Sequence, residues 1–135
     1  MMLFGLLLTV GSSAAAQNPT LAVNSGGGTP AAGQQLLFRI HARSNDEKNA
    51  PAGTKYFLLT FVANGKNFAT AQAQIPDADQ NKYATTYKNV EKISKVENPI
   101  AFRAYDNLKF TAGNGFYQIE VIRSNKSVGV MKLYR

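Results

Sequence analysis

The chain has 135 residues, with 15 Lys and Arg against 8 Asp and Glu, one His, no Cys and a net charge of +7. That length fits one domain; the missing Cys exclude a disulfide framework and any thiolate metal site, and a lone imidazole excludes a multi-histidine centre. With 44% hydrophobic residues the chain can bury a core, so wholesale disorder is excluded too.

Leu3 to Val10 is an apolar run followed by Gly11-Ser12-Ser13 and Ala14-Ala15-Ala16. This order reads as a secretory signal peptide over residues 1–16, cleaved between Ala16 and Gln17. The run is shorter than the ~20 apolar residues that a bilayer span needs, and no later stretch is long enough. The expected address is secreted or the lumen of the secretory pathway (the periplasm or the exterior in a bacterium). Residues 17–33 are rich in Gly, Pro and Ala and read as a flexible arm, with Leu21 and Val23 in one short edge strand.

The main domain is expected over residues 34–135. Leu36, Phe38, Ile40 and Ala42 alternate with Leu37, Arg39, His41 and Arg43, the period of a half-buried strand. Tyr56 to Val62 is aromatic and β-branched and predicts a central strand. Asn64-Gly65 then supplies two residues that tolerate positive φ, as a two-residue type I′ hairpin requires. Its return strand is Asn67 to Ile75, with Ala69, Ala71 and Ala73 on one face. Pro76 to Asn81 reads as an acidic turn, and Tyr83, Thr85 and Tyr87 as an alternating strand. Lys88 to Asn98 fits a helical turn or a loop. Ile100 to Tyr105, Phe116 to Ile122 and Val128 to Tyr134 read as strands, the second with Tyr117, Ile119 and Val121 inward. No amphipathic helix is evident. Seven or eight short strands joined by turns predict an all-β fold, an antiparallel immunoglobulin-like β-sandwich, with a small barrel as the alternative.

Chemistry is sparse. His41, the only imidazole, sits between Arg39 and Arg43 with no Gly-x-Ser-x-Gly element to present a nucleophile, so a hydrolase using His41 is the third choice. Asp77, Asp79 and Asp106 resemble a weak loop-end calcium site, but Asp is also a good turn former, and no metal or other cofactor is assigned. The cations say more. All 15 lie beyond Phe38, and a field of that sign favours acidic partners such as a protein face, an anionic surface or a glycan. Nucleic acid is disfavoured, because Tyr83, Tyr87 and Tyr105 have strand spacing that fits packing better than base stacking. Arg39, Arg43 and Arg103 are the candidate contact residues. Asn125-Lys126-Ser127 is the one acceptable glycosylation sequon, since Asn18-Pro19-Thr20 is blocked by its proline.

The run Phe61 to Phe68, then Asn81 to Tyr87, then Gly113 to Val121 resembles the lumenal sandwich of the translocon-associated protein delta subunit. It is also similar to the sandwich of ribophorin-type oligosaccharyltransferase subunits. The resemblance covers about the last two-thirds of the chain. It implies a non-catalytic accessory subunit beside a secretory-pathway machine. Unlike those proteins, this sequence has no Cys pair and carries an extra segment from Glu91 to Tyr105. The reading that the residues themselves favour is a non-catalytic exported binding or scaffolding module.

Overall fold

Side-chain alternation assigns the faces of nearly every strand. The computed structural model describes residues 19–42 and 49–135; the expected leader and Arg43 lie outside them. In β2, Gln35–His41, the side chains of Leu36 and Phe38 are buried and Arg39 is exposed. β3, Thr54–Ala63, buries Phe57, Leu59 and Phe61, and β4, Lys66–Pro76, buries Ala69, Ala71 and Ile75. The hairpin between them turns on Asn64 at φ 54° and Gly65 at φ 76°, as expected of a type I′ turn. β7, Asn107–Ala112, β8, Phe116–Arg123, and β9, Lys126–Tyr134, continue the pattern, with Leu108, Phe110, Tyr117, Ile119, Val121, Met131 and Leu133 all inside.

Nine antiparallel strands form one hydrogen-bonded sheet, ordered β5-β2-β3-β4-β1-β7-β8-β9-β6, where β1 is Thr20–Gly26, β5 is Val90–Lys92 and β6 is Lys95–Glu97. The expected all-β class holds. The ladder is continuous, so it does not confirm the division into two sheets that defines an immunoglobulin-like sandwich. The sheet is nevertheless strongly rolled. Phe38 on β2 and Phe110 on β7 lie four strand positions apart, yet their ring centroids are 5.6 Å apart. In a flat sheet that separation would be about 19 Å. The chain also ties the two outer strands together. β5 pairs with β2 at one edge and β6 with β9 at the other, and only Ile93 and Ser94 separate them. The Ile93 N–H donates to the Gln34 carbonyl, and the next residue, Ser94, donates to the Tyr134 carbonyl. Three residue steps reach about 11 Å at most, whereas nine flat strands span roughly 38 Å. The edges must therefore lie side by side.

Four expectations are corrected. Lys88 to Asn98, expected as a helical turn or a loop, holds strands β5 and β6. Leu21 and Val23 do not mark an edge strand. β1 lies inside the sheet between β4 and β7, with both side chains fully or almost fully buried. The Tyr83-Thr85-Tyr87 segment is not a strand but part of helix α1, Gln80–Thr86, with Tyr87 as its C-cap, entered through a 3-10 turn over Asp77–Asp79. Positions i and i+4 share a face in a strand and in a helix alike, so the two tyrosines could not discriminate. Thr85 does, because it is exposed while both tyrosines are buried, and its hydroxyl donates back to the Asn81 carbonyl. Ile100 to Tyr105 is not a strand either. It contributes one bridge, Phe102 to Gly28, and ends in a turn with Tyr105 at φ 72°, after which β7 begins.

The core is aromatic. The Phe38 ring lies 5.2 to 6.4 Å from those of Phe57, Tyr87, Phe110 and Tyr117, and so links β2 and β3 to β7, β8 and the end of α1. No helix among the described residues is long and apolar enough to cross a membrane.

Candidate functional site

Two features stand out. The first lies where α1 leans on β2. Gln80, Tyr83, Ala84 and Tyr87 follow the i, i+3, i+4, i+7 rule and so share one helix face. The tyrosines pack onto the sheet, with Tyr83 5.8 Å and Tyr87 5.3 Å from Phe57, ring centre to ring centre. Between them stands Ala84, whose methyl group is too small to fill the space. A half-open cleft of about 240 Å³ lies here, lined by this helix face and by Phe38, Arg39, Ile40, Phe57 and Asn89. Its floor is aromatic and its polar groups are Arg39, Gln80 and Asn89. Among the described residues none of those three side chains has a hydrogen-bond or ion-pair partner. Burial pushes the Tyr83 phenol up from its ordinary range, with the Asp79 charge adding to it.

The second feature is on the outer face of β8, β9 and β6. Strand register puts Phe116, Tyr134 and Lys95 in one cross-strand row and Gln118, Lys132 and Glu97 in the next. The Lys95 ammonium stands 5.4 Å from the centre of the Tyr134 ring, and that of Lys132 stands 5.0 Å from the centre of Phe116. The two rings lie 5.8 Å apart. Glu97 accepts a hydrogen bond from the Tyr134 hydroxyl at 2.8 Å, which is the main reason that phenol is raised from its ordinary range. Neither lysine takes part in a salt bridge among the described residues.

The interior of the rolled sheet holds polar groups of its own. Tyr87 Oη, Tyr117 Oη and Glu91 Oε1 are buried and lack a hydrogen-bond partner among the described residues. Burial raises the Tyr87 phenol far above its ordinary range, helped by Tyr83 and Tyr117. Burial also raises Tyr117; Arg135, whose guanidinium stands 4.7 Å from the centre of the Tyr117 ring, works against that rise, and Glu91 works with it.

The residues singled out in the sequence are scattered. Arg39 borders the cleft, whereas exposed Arg103 lies in the turn before β7, and β3, β4 and β1 separate β2 from β7 in the sheet. His41 ends β2, half-buried and opposite Tyr56 in register. The three aspartates are not brought together as a site, and each meets a cation: Asp77 Lys55 at 2.7 Å, Asp79 Lys82 at 3.7 Å, and Asp106 Arg123 at 2.8 Å. Asn125 is exposed, at φ 63° in the β8–β9 turn. Sequence reading missed α1, and with it the cleft. The signal was there in Gln80, Tyr83, Ala84 and Tyr87, directly after two acidic residues. It also missed the Phe116–Tyr134 row, because cross-strand neighbours show only once register is known.

Comparison with protein-family models, with curated proteins and with solved structures finds no match.

Proposed function

We propose that this chain is an exported, non-catalytic binding module that contacts an acidic partner through the outer face of β8, β9 and β6. The observation that carries the reading is the pair of lysines, Lys95 and Lys132, held over Tyr134 and Phe116. A ring beneath an ammonium stabilises it by about 0.5–1 kcal/mol at an exposed site. It also steers the charge toward one place without neutralising it, as a carboxylate would. Two cations fixed in adjacent rows on the outer face of the rolled, antiparallel sheet then form a positive strip on a chain that is positive overall. Glu97 is turned to the Tyr134 hydroxyl, so it anchors the ring under Lys95. The rolled sheet supports the same reading for the architecture. A rolled sheet whose edge strands, β5 and β6, are only three residues long offers little edge for strand addition, which leaves its faces for contact.

Heparin affinity chromatography tests the proposal. The wild type is expected to elute later than a Lys95→Gln, Lys132→Gln double variant and at a salt concentration that rises with ligand sulfation. Equal elution of the two folded proteins, or retention indifferent to ionic strength, overturns it. Export is tested separately, since the mature product is expected to begin at Gln17 by intact-mass spectrometry.

A further inference from the structure

We propose that the cleft between α1 and β2 is a second binding site, for a small ligand with a flat apolar body and one anionic group, such as an aromatic carboxylate. This site is separate from the outer strip and does not rest on it.

A dry apolar cavity of about 150 Å³ accepts a benzene ring, and ligand pockets for larger molecules start at about 300 Å³. The present space, about 240 Å³, is a half-open cleft rather than a closed cavity, with room for one ring with a short substituent. Shape agrees. Phe38, Phe57, Tyr83 and Tyr87 form the back wall of the cleft, and Tyr83, at 9%, is the most exposed of the four. Their packing is already complete, since Phe38 lies 5.2 Å from Tyr87 and Phe57 lies 5.8 Å from Tyr83. Ala84 borders the cleft and is exposed on α1.

Charge decides the class of ligand. Arg39 is the one charged residue among those that line the cleft, and it has no carboxylate partner among the described residues. A guanidinium forks onto a carboxylate with two parallel hydrogen bonds. Gln80 and Asn89 add amides at the same lining. The Asn89 backbone is held in place, because its carbonyl accepts the Phe38 N–H at 2.9 Å. A cationic ligand would meet Arg39 and the overall positive charge of the chain, so an anionic head is favoured.

The test uses benzoate, benzyl alcohol and acetate as probes on the full exported chain, read by amide NMR shifts at constant ionic strength. Benzoate is expected to shift the signals of Gln80, Ala84 and Asn89 saturably, benzyl alcohol to do so more weakly, and acetate not at all. Arg39→Gln should weaken benzoate about two- to fivefold, the range for one solvent-exposed ion pair, and leave benzyl alcohol unchanged. Ala84→Phe should fill the cleft and weaken both aromatic probes about tenfold or more. Ala84 is exposed on α1, so the same spectra will show the folded pattern elsewhere. No saturable shift with either aromatic probe, shifts confined to other residues, or undiminished benzoate binding in Ala84→Phe would each overturn the site. Equal affinity for benzoate and benzyl alcohol, or indifference to Arg39→Gln, would overturn the anionic class.

Discussion

Removing the Asp106 carboxylate is expected to destabilise the fold by about 2–4 kcal/mol, with a pH dependence that marks the cause. Asp106 is 1% exposed. Its Oδ1 accepts from Arg123 Nε at 2.9 Å, and its Oδ2 accepts from Arg123 Nη2 at 2.8 Å and from the Arg103 N–H at 2.9 Å. The same residue ties the 101–106 turn to β1, because its carbonyl accepts the Val23 N–H at 2.8 Å. Asp106→Ala strands the part-buried Arg103 N–H, a loss toward the lower end of the about 1–3 kcal/mol for a buried donor. It also leaves Arg123 without its carboxylate. Stranding a fully buried charge costs about 3–5 kcal/mol, but the Arg123 side chain is 28% exposed and can turn to water, so the smaller total is the right one. Asp106→Asn keeps one acceptor for the Arg103 N–H and should lose about 1–2 kcal/mol.

The sign with pH follows from the carboxyl itself. Burial alone would raise it, but the Arg123 hydrogen bonds, the Arg103 N–H and the two positive charges outweigh burial and hold it below its ordinary range. A carboxyl depressed in the folded state stabilises fully above its unfolded pKa of about 3.9 and loses that contribution as pH falls through the lower folded value. Urea unfolding of wild type, Asp106→Asn and Asp106→Ala from neutral pH downward is the assay. The gap between wild type and Asp106→Asn should narrow below about pH 4. A loss under about 0.5 kcal/mol for Asp106→Ala, the range of an ordinary surface substitution, would refute the reasoning. So would a gap that stays constant into acid.

Three more outcomes are expected. Phe38→Ala should cost about 3–5 kcal/mol by thermal or urea unfolding, since it empties the middle of the aromatic core where β2 meets β7 and β8. Gly65→Ala should cost about 1 kcal/mol in the same assay, because residue 65 sits at φ 76° in open space, where only the backbone objects. Tyr87→Phe should change neutral-pH stability little, its hydroxyl having no partner among the described residues. At alkaline pH it should gain on the wild type. A phenol raised by burial stabilises below its unfolded pKa of about 10 and loses that contribution as pH rises toward the folded value. Equal alkaline unfolding of the two proteins would contradict this.

What the amino-acid order alone determines here is local. A period of two put Leu36 and Phe38, the alanines of β4, and Tyr117, Ile119 and Val121 inside before any partner strand was known, because successive side chains on an extended backbone must point to opposite faces. Asn64-Gly65 dictated its turn through the φ values those residues tolerate. Tertiary structure decided the rest. Whether Tyr83 and Tyr87 belonged to a strand or a helix was not fixed by their spacing; Thr85, exposed while both tyrosines are buried, marks the helix. Asp106 found Arg123 across a separation of 17 residues, which no spacing rule reaches. The roll of the sheet, and with it the cleft beside Arg39 and the lysine-over-ring rows, followed from Val90–Lys92 and Lys95–Glu97 pairing with opposite edges. Such pairings join residues far apart in sequence, so their free energy depends on where the other strands lie and on nothing a local pattern records.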